Sequence, residues 1–152
     1  MAPESDHSEA LAGRAVVAVD FTEKFPHLSR APIVEAVLEL RCRAGLAWDQ
    51  EAFQNRLKSL LPDYPQMQAQ RLLQHELRAE AGKPPEQLLK DLGWRGLVFR
   101  TANGQHVAQF KQDGFVFSRL YPYEHWEGFV QEALRLWGIH LEIAQPTEIQ
   151  RV

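Results

Sequence analysis

Between Ile33 and Arg43 apolar and polar positions alternate. Ala36, Leu38, Leu40 and Cys42 share one side; Glu35, Glu39, Arg41 and Arg43 share the other, with Val37 among them. A period of two over this length predicts a half-buried strand whose polar side offers Glu and Arg for cross-strand pairs. Gly45 ends it. The period then lengthens. Phe53, Leu57, Leu60 and Leu61 recur at i, i+4, i+7 and i+8, which predicts one face of a helix, with Asp49 as N-cap and Pro62 and Pro65 as its stop. Gln66 to Glu80 fits both periods. Its Gln, Leu, Glu, Arg and Ala content favours helix, yet Met67, Ala69, Leu73, His75 and Leu77 also fall on one alternating side, with Arg71 the exception. Taken alone the segment reads as helix; the topology around it favours strand. Gly82 to Pro85 breaks the chain, and Glu86 to Leu92 reads as a short helical turn.

Three strands with strong punctuation follow. Trp94 to Thr101, Gln105 to Gln112 and Phe115 to Leu120 are separated by Asn103-Gly104 and Asp113-Gly114, dipeptides that favour two-residue hairpin turns because both residues tolerate positive φ. Pro122 is expected to open a helix. Trp126, Phe129, Val130, Ala133, Leu134, Trp137 and Leu141 recur at helical spacing, and the stripe runs to Ala144 before Pro146 closes it. Gly138 weakens that helix by about 1 kcal/mol relative to Ala. Thr147 to Val152 reads as the start of another strand. The expected class is α+β: a curved antiparallel sheet carrying both helices on one face, in the order β-α-β-β-β-β-α. That order matches the half-repeat of TATA-binding-protein-like, or helix-grip, folds, an analogy that carries no function.

Ahead of these elements, Met1 to Gly13 reads as a flexible tail, and Ala15 to Phe21 as an edge strand or a docked leader. Pro26 and Pro32 bracket a linker from Phe25 to Ala31. Residues 1–24 are thus expected to be tail or edge strand and residues 25–152 a single domain, a length that can bury a sizeable core. With 45% hydrophobic residues, four Trp and eight Phe, the chain is too apolar for overall disorder. A net charge of −3 exerts no global pull toward nucleic acid or acidic membranes, though a local basic patch stays open. One cysteine, Cys42, can form neither an internal disulfide nor a thiolate metal site, and its apolar neighbours mark it as a small buried hydrophobe. No stretch approaches the ~20 apolar residues of a membrane span. Met1 to Glu9 lacks the basic start and apolar run of a signal peptide, so a cytoplasmic setting without membrane contact is expected.

Two segments carry a family likeness: Ser29-Arg30-Ala31-Pro32-Ile33-Val34-Glu35-Ala36-Val37, and the longer run from Asp113-Gly114-Phe115-Val116-Phe117-Ser118-Arg119-Leu120 through Tyr121-Pro122-Tyr123-Glu124-His125-Trp126. Together they resemble a sporadically distributed prokaryotic family of conserved hypothetical proteins, over roughly Phe25 to Val152. Members of that family continue past the segment resembling Pro146 to Val152 into a further β-rich half, so the chain resembles their N-terminal half. The resemblance implies a strand at Gln66 to Leu77. It implies no activity and no catalytic residue.

Candidate chemistry is sparse. His75-Glu76 begins like a zinc-protease motif, but the second His would fall at Ala79. His106, His125 and His140 lie in different predicted elements. Ser118 lacks a nucleophile-elbow frame. Gly93-Trp94-Arg95-Gly96 has neither the spacing nor the Lys of a phosphate loop. Glu35 and Glu39, four residues apart on one strand, stand ~13 Å apart, too far for a paired acid and base. No catalytic residue, metal or cofactor is therefore expected. Two clusters could bind. Tyr121, Tyr123, Trp126 and Phe129 form an aromatic group that either seats the helix or walls a ligand pocket. Arg100, Gln109, Lys111 and Arg119 are expected on the sheet face opposite the helices, with Trp94, Val98 and Val107. Such a face is either solvated, a dimer interface, or a surface for single-stranded nucleic acid or phosphate. The candidate ligand-binding residues are Arg100, Lys111, Arg119, Tyr123 and Trp126. The leading expectation is a non-enzymatic binding or regulatory module that assembles through its sheet, as a homodimer or with a protein partner. The alternatives are a nucleic-acid or nucleotide binder using the open sheet face, and a small-molecule enzyme with a helix-grip pocket.

Overall fold

The computed structural model describes residues 18–24, 26 and 28–152. Alternation builds the first strand as expected: β1 (Glu35–Arg43) buries Leu40 and Cys42, half-buries Ala36 and Leu38, and exposes Glu35, Val37, Arg41 and Arg43. In α1 (Gln50–Leu60) the Asp49 carboxylate accepts the Ala52 backbone N–H at 2.8 Å, satisfying one of the orphan donors of the first turn. Phe53 and Leu57 are buried on its inner face, joined by Leu61 just past its end.

Gln66–Arg78 is a strand, β2, and it pairs with an unexpectedly long one, β3 (Glu86–Arg100). The helical turn anticipated at Glu86 to Leu92 does not form. Arg78 back to Leu73 meet Glu86 to Asp91 in antiparallel register, and a helical turn would strip the β2 segment of its backbone partners. The helix propensity of this Gln-, Leu- and Glu-rich stretch is a weak prior that pairing overrides.

β4 (His106–Lys111) and β5 (Gly114–Leu120) complete the meander. Both connections differ in detail from two-residue turns centred on the two glycine dipeptides. At the first, Gly104 takes positive φ (70°) while Asn103 does not, and the Thr101 N–H bonds the His106 carbonyl across a loop of Ala102 to Gln105. At the second, the loop is Gln112-Asp113, and Gly114 already pairs with Lys111 inside β5. Glycine is needed there for close approach: a Cβ would stand 2.5 Å from the Leu40 carbonyl oxygen.

α2 (Trp126–Ala144) starts four residues after Pro122, whose bond to Tyr121 is cis. His125 is its N-cap, with Nδ1 accepting the Gly128 N–H at 3.0 Å. Gln145, at φ 45°, ends it and donates its N–H to the Leu141 carbonyl. The closing segment forms β6 (Glu148–Arg151), antiparallel to β1.

All six strands form one antiparallel sheet in the order β2-β3-β4-β5-β1-β6. Register aligns Leu40, Phe115, Phe110 and Leu97 in one row, and Leu38, Phe117, Ala108 and Phe99 in the next. Phe53 and Leu57 of α1, and Phe129, Ala133, Leu136 and Trp137 of α2, close over these rows. Both helices therefore cover one face, and the α+β class and the order β-α-β-β-β-β-α stand, with β6 added. Each large apolar side chain sealed here contributes ~1.5–3 kcal/mol.

The expected tail, Met1 to Gly13, and the first residues of the Ala15 to Phe21 segment lie outside the described residues, as do Phe25 and His27 of the linker; residues 18–21 are not in a strand. No helix among the described residues is long and apolar enough to cross a membrane.

Candidate functional site

The five residues singled out for ligand binding separate onto two sides of the sheet. Arg100 and Lys111 lie opposite the helices, on the face that carries Val98, Val107, Gln109 and Val116. Lys111 is 3.9 Å from the Glu39 carboxylate, which also takes Arg41 Nε at 3.2 Å. One carboxylate thus offsets two of the cations of this face.

Arg119 is not on that face. Ser118 pairs with Val37 and Val107 on the open side, so alternation turns Arg119, paired with Ala36 and His106, toward the helices. Trp94 is displaced for a different reason. Gln70 stands opposite Gly96 and Arg71 opposite Trp94, so Arg95 is an extra residue, and this bulge flips the parity of the strand. Trp94 packs against the core with its ring 5.7 Å from that of Trp48.

On the helix side, the approach to α2 forms a cleft. Tyr123 and Trp126 line it with Pro26, Leu28, Ala31 and Ile33, enclosing about 520 Å³, within the range of small-molecule sites. A smaller cavity of about 170 Å³ adjoins it along Tyr123, Glu124 and His125, and ends on His106, Arg119 and Phe129. Arg119 is only 8% exposed. Its Nη1 stands 3.3 and 3.2 Å from the two ring nitrogens of His106, and Nη2 is 3.7 Å from the Glu124 carboxylate. His106 stacks on Phe117 at 5.8 Å, and burial, followed by the adjacent guanidinium, pushes its pKa below the ordinary imidazole value. The structure thus brings Arg119 and Tyr123 together and sets Trp126 beside them. Phe129 packs 6.3 Å from Tyr123 and 6.0 Å from Trp126, while Tyr121 is exposed.

Sequence reasoning missed two groups. His106 enters the cavity only through its register with Arg119. His140 is buried among Trp48, Phe110, Phe115 and Trp137, with ring centroids 5.2 to 6.1 Å away, and its Nε2 is 3.9 Å from Cys42 Sγ. Burial lowers the His140 pKa to about 4 and raises that of the Cys42 thiol, so at neutral pH the pair is an uncharged imidazole beside a protonated thiol, without nucleophilic character. The indole N–H groups of Trp48, Trp94 and Trp137 are buried nearby without a hydrogen-bond partner. No group of three or more His, Cys, Asp or Glu among the described residues could hold a metal ion.

A second exposed surface lies elsewhere among the described residues. β3 pairs with β4 only from Gly96 to Arg100. Before Gly96, β2 and β3 run on as a two-stranded arm, set off by bulges around Arg71 and by Gly93 at φ 97°. Asp91 ties the base of the arm, accepting Arg71 Nε and the Gly93 N–H at 2.8 Å each. One face of the arm carries Leu73, Leu77 and Leu89, exposed at 53%, 61% and 67%; Leu72, Leu88 and Leu92 are exposed as well. β2 also lies at the sheet edge, with the outer N–H and C=O groups of its 13 residues facing no strand among the described residues.

A scan against family models and searches of curated proteins and of solved structures find no match to the chain.

Proposed function

We propose that the protein is a non-enzymatic binding module that assembles as a homodimer through the β2–β3 arm, and we take it to work in the cytoplasm. The observation that carries this reading is the exposure of six leucines on a ribbon of only two strands. Such a ribbon is marginal in water by itself, and a long apolar edge strand is a template for pairing with another chain. A second copy is the occupant that β2 itself suggests. Antiparallel pairing of β2 with its twofold mate, centred on His75, sets Leu73 against Leu77 twice and Gln74 against Glu76, with no like charges opposed. Both helix layers then lie on the same side of a continuous sheet.

The register has a direct test. A His75→Cys variant places two thiols opposite each other at the dyad, while the native Cys42 is buried. Mild oxidation is expected to yield a covalent dimer on a non-reducing gel. A dimeric mass without cross-linking would reject this register, and a monomeric mass would reject the assembly.

A further inference from the structure

We propose that the Arg119 cavity and its adjoining cleft form a binding site for a small monocarboxylate with an apolar body. Among the described residues, the partners of Arg119 do not satisfy it. The two ring nitrogens of His106 point away from each other across Cε1. A donor 3.3 and 3.2 Å from both is aligned with neither, and in a neutral ring one of them bears a hydrogen itself. Glu124 is 3.7 Å from Nη2, beyond hydrogen-bond reach, and its side chain is 71% exposed. Glu132 is engaged elsewhere: its oxygens take the Tyr64 hydroxyl at 2.7 Å and Arg135 at 2.6 and 2.9 Å. A guanidinium buried to this degree calls for a carboxylate in fork geometry, and the cavity beside it has room for one.

The surroundings select the rest of the ligand. Pro26, Leu28, Ala31, Ile33 and Trp126 give the outer cleft an apolar wall suited to a hydrocarbon or aromatic body. Arg119 is the sole Lys or Arg among the described residues lining the two spaces, while Glu124 and Glu127 stand at their solvent side. One buried cation with a carboxylate rim suits a single negative charge and disfavours a phosphate dianion. Tyr123, on the shared wall, adds a hydroxyl and a ring face. The site lies on the helix side of the sheet and does not depend on assembly through the arm.

The test uses the whole chain titrated with 3-phenylpropionate and, in parallel, with 3-phenylpropionamide, following the Trp126 indole and Gly128 amide signals by NMR. The acid is expected to shift both signals saturably and to bind roughly ten-fold more tightly than the amide, the size of one charge-assisted contact. Glu124→Gln is expected to tighten the acid several-fold by removing the competing carboxylate. Arg119→Gln is expected to make acid and amide equal. Equal binding of acid and amide to the wild type, no saturable shift at millimolar acid, or an unchanged preference in Arg119→Gln would each overturn the proposal; the first two need no variant to fold.

Discussion

At its C-terminal end β3 carries Leu97, Val98 and Phe99, all buried; at its N-terminal end it carries Leu88, Leu89 and Leu92, all exposed. The residue types are nearly the same. The neighbours are not. Among the described residues the C-terminal end has β2 on one side, β4 on the other and the helical layer over Leu97 and Phe99, whereas the N-terminal end has β2 alone. Burial in this molecule therefore follows the supply of partners along the strand, not its hydrophobicity. The proposed twofold contact supplies neighbours at this end by setting Leu73 and Leu77 of β2 beside their twofold mates.

If this contrast holds, equivalent truncations at the two ends differ sharply. Phe117→Ala in the sealed region is expected to cost about 3–5 kcal/mol, whereas Leu89→Ala, measured at high dilution, stays within about 0.5 kcal/mol. Urea midpoints check this, and similar costs would break the comparison. Acid is expected to act next most strongly, and on the sealed region. The folded pKa of His140, about 4, lies below its ordinary 6.5, so the folded state holds fewer protons than the unfolded state between these values. The stability that the neutral imidazole supplies is full above the ordinary value and is lost as pH falls toward about 4, on the order of 3 kcal/mol in all. Urea unfolding near pH 7 and near pH 4.5 measures it, and His140→Leu is expected to remove that part of the slope. A slope unchanged in the variant contradicts the assignment.

Glycines sharpen the contrast further. Gly114→Ala drives a Cβ against the Leu40 carbonyl and is expected to cost about 1–3 kcal/mol of global stability. Gly82→Ala, at φ 85° in the arm's turn with open space around it, strains one residue by about 1 kcal/mol and is expected to leave the core midpoint alone. The smallest effects separate the two acidic anchors. Asp49→Ala removes the α1 cap at ~1 kcal/mol of global stability. Asp91→Ala is expected to speed hydrogen exchange of arm amides without moving the global midpoint; a shift in the midpoint would mean that the arm and core unfold as one unit.

Elements with local rules were legible in the sequence. The alternation of Ala36 to Cys42, the cap at Asp49 and the stripe of α2 each state their element without help from the rest of the chain. The N-terminal half of β3 was not legible, because its strand character comes only from pairing with Leu73 to Arg78. Trp94 was placed on the wrong face because the bulge at Arg95 leaves no local mark. Arg119 is a different failure. Phe115, Phe117 and Arg119 alternate on one face, so its inward position was readable; grouping it with Arg100 and Lys111 by charge obscured that. The cavity depends on His106 meeting Arg119 across two strands, a register that no local pattern displays.

In the proposed assembly the exposed arm is the contact through which two copies join. Multi-angle light scattering of the wild-type chain across the micromolar range tests it most directly, alongside a Leu73→Asn, Leu77→Asn, Leu89→Asn variant whose circular dichroism and core stability match the parent. The wild type is expected at twice the chain mass and the variant at the single-chain mass. A wild-type protein that stays monomeric throughout, or a variant that remains dimeric, would contradict it.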